Sequence, residues 1–154
     1  IHSGYKIIGT YINSTMALHD AISKGADEAL LLDKNGYISE GSGENIFSIK
    51  ENILSTPKID HCLNGITRQS VIKIALDLGL KVEEKDITYE ELIQSDEVFF
   101  SGTAVEITPI SKIDDVIIGS GSIGPVTEKL QNWYSDIVTG KNEVYKDWLS
   151  VVSD

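Results

Sequence analysis

Ile38-Ser39-Glu40-Gly41-Ser42-Gly43-Glu44-Asn45-Ile46-Phe47 sets two β-prone apolar ends around a turn with two glycines and two glutamates. Glycines at positions 41 and 43 free the backbone to turn sharply or to pass close to a flat ligand. A carboxylate at the end of a strand, beside such a backbone, is a way to aim one charge into a cavity. The same residues also describe a solvated hairpin turn with acidic decoration. The surrounding chain bears on that choice.

Outward from this turn the punctuation is dense. Upstream, Glu28 to Asp33 is a short apolar run that predicts a buried strand, and Asn35-Gly36 is a strong hairpin signal. Earlier still, Gly4 to Ile8 has the composition of a short strand. Thr10 to Lys24 has helical spacing, with Tyr11, Leu18 and Ile22 on one face and Gly25 as the stop. Downstream, Glu51-Asn52 predicts a tight turn into Ile53-Leu54, and residues 55–64 read as loop. A second helix opens at Gly65-Ile66-Thr67-Arg68 and ends at Gly79; Leu80 to Ile87 follows as a strand with one wet face. Tyr89 to Ile93 predicts a helical turn or two. Glu97 to Phe100, Ile107 to Ile113 and Val116 to Ile118 predict further strands. Pro125 starts a third long helix that Gly140 ends, and a last helical piece is expected near Tyr145 to Val151. Many short strands with a few helices predict an α+β fold with mixed, largely antiparallel pairing. Most gaps between strands are too short for helical crossovers.

Composition sets the outer limits. The 154 residues suffice for one domain with a core, and 41% hydrophobic with 24% charged residues is ordinary for a globular chain. No apolar run reaches membrane-spanning length. A net charge of -11 disfavours nucleic acid but leaves room for a small anion at a helix start. The single cysteine, Cys62, excludes an internal disulfide and fits a reducing cytoplasm. The chain begins at Ile1, close to a full-strength motif, so the expectation is a fragment lacking an N-terminal part.

Several short pieces carry possible chemistry. Lys6, flanked by Tyr5 and Ile7-Ile8, has an apolar setting for its stem; a buried, unpaired amine there is a nucleophile toward carbonyls, an exposed one a surface lysine. Gly65-Ile66-Thr67 offers free N–H groups and a hydroxyl, as a phosphate cup or as an ordinary helix start. Ser101-Gly102-Thr103-Ala104 offers two hydroxyls and open N–H groups, as a second anion site or as a polar turn. Gly119-Ser120-Gly121-Ser122-Ile123-Gly124 has dinucleotide-turn spacing. Pro125 follows at once, however, and no later strand carries a ribose-binding acid, so a connecting turn is the better account. No metal site is expected. An amine, an aimed carboxylate and two neutral anion-binding turns together suit an aldehyde cofactor with a phosphate and a basic ring nitrogen, which describes pyridoxal phosphate.

Five blocks in order carry a family resemblance: Lys6-x-x-Gly9-x-Tyr11, residues 38–47, Gly65-Ile-Thr-Arg68, Ser101-Gly-Thr-Ala104 with Glu106-Ile-Thr-Pro109, and Gly124-Pro-Val-Thr127. Over nearly its whole length the chain resembles the C-terminal large domain of branched-chain amino acid aminotransferases, in the class IV, or fold-type IV, pyridoxal phosphate group. The resemblance implies a barrel-like core with flanking helices. It implies that residues 1–154 form the cofactor-binding domain, with an N-terminal small domain absent, and that the full-length enzyme is a homodimer or higher homo-oligomer. The implied reaction is transamination of leucine, isoleucine or valine with 2-oxoglutarate; the isolated chain is expected to be weak or inactive. By position, Lys6 resembles the Schiff-base lysine, Glu40 the carboxylate facing the pyridine nitrogen, and Tyr11 the partner of the ring's phenolic oxygen. Leu63 matches the side chain under the ring, Ile66, Thr67 and Thr103 the phosphate cup, and Thr103 with Ala104 the turn receiving the substrate carboxylate. Ile8-Gly9 departs from the usual Gly-Gly, and Asn64 stands where proline is frequent. A D-amino acid aminotransferase or an aminodeoxychorismate lyase uses the same scaffold, and a non-catalytic binding domain is the alternative of a different class.

Overall fold

A computed structural model describes Lys6, Gly9, residues 11–150 and Val152. Helix α1 (Tyr11–Ser23) leads into strand β1 (Leu30–Leu32), β2 (Ile38–Gly41), β3 (Asn45–Lys50) and β4 (Ile53–Pro57). Helix α2 (Ile66–Asp77) connects to β5 (Lys81–Lys85), and α3 (Tyr89–Ile93) to β6 (Glu97–Gly102) and β7 (Glu106–Pro109). The short β8 (Lys112–Ile113) and β9 (Val116–Ile117) precede α4 (Pro125–Val138) and a 3-10 turn over Glu143–Trp148. The central sheet has the order β5-β4-β3-β6-β7; β1 with β2, and β8 with β9, form separate antiparallel ribbons. Among the described residues only β4 and β5 pair in parallel, and α2 supplies the crossover that such a pair requires. The architecture is the mixed, largely antiparallel α+β expected.

Period-two alternation sends neighbouring residues of the central strands to opposite faces. Phe47 and Ile49 of β3 and Phe99 of β6 face α2 and α4, meeting Val71, Ile74, Leu130 and Ile137. The rings of Phe47 and Phe99 stack with centroids 5.0 Å apart. Ile46, Val98 and Phe100 point the other way, into a second cluster with Ile38, Ile87, Leu92 and Ile113. Strands β2, β3, β6 and β8 all contribute to that cluster, which joins the two ribbons to one face of the open central sheet; no closed barrel is seen among the described residues.

Several segments differ from the sequence expectation. The buried strand expected over Glu28 to Asp33 is the short β1, none of it fully buried and Leu32 55% exposed. Residues 55–57 extend β4 instead of forming loop: Thr56 is fully buried, and its hydroxyl donates 2.8 Å to the Ile46 carbonyl. That internal bond lets a polar residue occupy a core strand. Residues 107–113 divide into β7 and β8 around Pro109, although the Ile110 N–H still donates to the Val98 carbonyl of β6 at 2.8 Å. Helix α1 forms as predicted but has no buried residue, and Ile12, Met16 and Ile22 are exposed. The strand expected over Gly4 to Ile8 falls outside the described residues except for Lys6, which stands in irregular, exposed backbone.

The start of α4 has a buried cap. Both oxygens of Glu97 accept from it, Oε1 from Val126 N–H at 3.1 Å and Oε2 from Thr127 N–H at 2.7 Å. A carboxylate at the positive end of a helix satisfies donors that have no partner within the helix. Gly124 makes this possible, because a Cβ there would stand 2.1 Å from Glu97 Cδ. Glu97→Ala leaves two N–H groups unmet, so chemical denaturation should show a loss of about 2–3 kcal/mol. An unchanged midpoint would contradict the cap.

Candidate functional site

The β2–β3 turn gathers most of the sequence blocks. Strand β2 carries one extra residue against β1: Leu32 pairs with Ile38, but Leu31 pairs with Glu40. The slip falls at Ser39, immediately before Glu40. A bulge re-aims the side chains around it. Ile38 enters the apolar cluster, whereas the Glu40 carboxylate takes the Leu63 N–H at 3.0 Å. Burial pushes the Glu40 carboxyl above its ordinary range; the Leu63 N–H opposes this, and the nearby Glu44 charge adds to it. Among the described residues, no cationic side chain is paired with Glu40.

Leu63 belongs to the loop between β4 and α2, which is latched to the same two strands. Its carbonyl accepts from Asn45 Nδ2 at 2.7 Å. The Ser39 hydroxyl donates to the His61 carbonyl. Next comes the start of α2, where the N-cap is Gly65 with no side-chain cap. A Cβ at Gly65 would lie 2.4 Å from Asn45 Oδ1, so only glycine lets the helix start come this close to β3. The first N–H groups of α2 are therefore free for an anion. Ile66 is 82% exposed there, and Thr67 beside it is 5% exposed.

The Ser101–Ala104 stretch reaches the same end of the sheet. Asn45 pairs with Ser101, and Gly102 pairs with Glu106, so Thr103 and Ala104 form an exposed hairpin tip. Gly102 lies against Glu44 Cγ and the Gly43 carbonyl. Glu40, Leu63, the Gly65-Ile66-Thr67 helix start and the Thr103-Ala104 tip thus surround one turn. Lys6 and Tyr11 are exposed, and Tyr11 opens α1.

Two motifs take other roles. The Gly119–Gly124 turn leads into α4, whose first N–H groups already bind Glu97, so no dinucleotide phosphate is seated there. Cys62 is buried, and burial, outweighing the nearby Arg68, pushes its thiol up to about 11. Such a thiol is inert. Among the described residues, no His, Cys, Asp and Glu cluster could hold a metal ion.

Asn45 and the paired behaviour of Glu44 escaped the sequence reading, since their partners lie far along the chain. Burial raises the Glu44 carboxyl, its bond from Gly43 N–H lowers it, and the charge of Glu28, with which it shares a hydrogen bond, raises it again. A carboxyl held above its ordinary value binds its proton more tightly in the fold than in the unfolded chain. Its contribution is complete below the ordinary carboxylate range and is lost as pH rises through the folded value. Glu44→Gln should therefore unfold at a higher temperature than the parent at pH 8, with the gap closing toward pH 4. Equal melting at both pH values would show that the Glu44 carboxyl is not raised in the fold.

The description "Amino-transferase class IV" matches residues 2–113. The branched-chain-amino-acid aminotransferase of Pseudomonas aeruginosa is 54% identical over 144 residues, covering 94% of this chain and 47% of the relative. The probable branched-chain-amino-acid aminotransferase of Aquifex aeolicus is 48% identical, over 100% of this chain and 50% of its own length. Among solved structures, a T.th. branched-chain amino acid aminotransferase complexed with N-(5'-phosphopyridoxyl)-L-glutamate superposes with a TM-score of 0.95. It is 45% identical, with 97% of this chain and 50% of that one covered. The holo-form enzyme from Thermobaculum terrenum, solved in its PLP form, gives 0.94 at 37% identity, again covering 97% and 50%. The chain spans about half the length of the curated relatives it matches.

Proposed function

We propose, on the premise that this chain belongs to the class IV amino-transferase family, that it is the cofactor-binding domain of a pyridoxal-phosphate-dependent branched-chain amino acid aminotransferase. Residues 1–154 form that domain on this reading, and the remaining length of the relatives corresponds to a small domain that completes the substrate pocket. The substrates are leucine, isoleucine or valine and 2-oxoglutarate. The matched relatives' names support this choice over a D-amino acid aminotransferase or an aminodeoxychorismate lyase.

One observation carries the cofactor assignment: Glu40 is half-buried beside an uncapped helix start, with a backbone N–H as partner and no cation among the described residues. A ring N–H⁺ meets the need of that carboxylate, and a phosphate meets the need of the free α2 N–H groups. The bound cofactor supplies an electron sink for the bond-breaking at the substrate's Cα.

The chain's own residues do the rest. Glu40 holds the proton on the ring nitrogen. Lys6 would hold the cofactor through its side-chain amine and, when that amine is free, would carry a proton to and from the substrate's Cα. Tyr11 would be the partner of the cofactor's phenolic oxygen, and Leu63 would supply an apolar side chain to the ring. Ile66 and Thr67 bind phosphate through the helix start, and the Thr103 hydroxyl joins them. The Thr103 and Ala104 N–H groups receive the substrate carboxylate.

No described helix is long and apolar enough to cross a membrane. A cytoplasmic setting accords with the free, buried Cys62, and the acidic balance argues against nucleic acid. The working enzyme is a homodimer or higher homo-oligomer on this reading.

Borohydride treatment of the protein with pyridoxal phosphate, followed by peptide mass spectrometry, should place one adduct on Lys6. Lys6→Ala should lower leucine transamination by the full-length enzyme about 10²–10⁴-fold or more, and the 154-residue chain alone should show little turnover. An adduct on another lysine, or full activity in Lys6→Ala, would refute the assignment.

A further inference from the structure

His61 lies in the loop between β4 and α2, and both of its ring nitrogens face carboxylates. Nδ1 stands 3.0 Å from Asp33 Oδ2, in the turn between β1 and β2. Nε2 stands 3.4 Å from Asp86 Oδ1, just after β5. Asp86 Oδ1 is buried with no hydrogen-bond partner, while the other oxygen of Asp86 takes Lys58 Nζ at 2.8 Å. Asp33 is anchored as well: burial works against its charge, but N–H groups of Tyr37 and Asn35, with His61 beside them, hold its carboxyl below the ordinary range. The imidazole is thus wedged between two acids from separate parts of the chain, with Lys58 completing the charged group.

The backbone of the same loop does different work. The His61 carbonyl receives the hydroxyl of Ser39, the bulged residue before Glu40. Two residues on, the Leu63 N–H meets the Glu40 carboxylate at 3.0 Å. A loop without secondary structure of its own holds one conformation only where side chains fix it.

We propose that His61 is a positioning residue for Glu40: placed between Asp33 and Asp86, it sets the loop so that the Leu63 N–H stays on the carboxylate. The importance of this for catalysis rests on the reading of Glu40 as the ring-nitrogen partner.

The test is a carbon-detected NMR titration of ¹³C-glutamate-labelled protein without cofactor. Losing the Leu63 N–H removes a bond that favours the charged carboxylate, so His61→Ala should move the Glu40 midpoint up by about 0.5 pH unit or more. His61→Gln, whose amide reaches the Nε2 position, should restore part of the shift, and it carries the test if the alanine variant does not fold. Asn142→Ala serves as the control: it removes the cap of the 3-10 turn over Glu143–Trp148, where the Asn142 side chain accepts from Val144 N–H, so it destabilises the fold away from this loop. It should leave the Glu40 midpoint in place. A Glu40 midpoint that His61→Ala and His61→Gln leave unmoved, or that Asn142→Ala moves equally, overturns the positioning role. Retention of pyridoxal phosphate by Glu40→Gln is measured separately. Undiminished retention there, with the His61 shift intact, sinks the cofactor reading and leaves the positioning role standing.

Discussion

A backbone N–H holding a half-buried carboxylate is the contact on which this site depends. Glu40 has a polar side chain on a strand whose neighbour Ile38 enters the core, so its direction is not given by alternation alone. The extra residue at Ser39 turns it, and Leu63 receives it. Each consequence follows from that pairing. The loop carrying Leu63 must lie on β2 and β3; Asn45 and Ser39 hold it there; and α2 must begin directly afterwards, with glycine at its cap because Asn45 leaves no room for a Cβ. The acid and the open helix start are therefore fixed relative to each other by one short stretch of chain.

Electrostatics distinguishes the helix starts. Glu97 occupies the N-terminus of α4, and Thr88 with Glu91 closes that of α3 by a capping box. The start of α2 has neither device. In a chain of net charge -11, an anion gains most where the protein has not already placed its own carboxylate. The same reasoning explains why the glycine-rich turn before α4, despite its spacing, is a connection and not a phosphate site.

Local signals carried much of this fold into the sequence. Glu51-Asn52 forms the tight turn expected, with φ of 49° and 65° at its two residues, and Gly79 and Gly140 follow their helices at positive φ. The alternation in Ile46-Phe47 and Phe99-Phe100 was visible as composition, although which residue faced which cluster required the pairing of β3 with β6. Long-range contacts were not legible. Thr56 looked like loop because its partner carbonyl, at Ile46, lies in another strand. His61 carried no signal because Asp33 and Asp86 are distant along the chain. The glycine-glutamate turn revealed its acid, but not the bulge that aims it. Roles for Lys6 and Tyr11 came from the order of motifs, since spacing near a chain end says nothing about what faces it.

The most direct measurement is the ¹⁵N chemical shift of the ring nitrogen in labelled pyridoxal phosphate bound to the full-length protein. An ionised Glu40 opposite that nitrogen predicts a protonated-ring shift that persists at pH 8 and is lost in Glu40→Gln. An unprotonated ring in the parent protein, or a protonated one that Glu40→Gln leaves unchanged, would contradict the account.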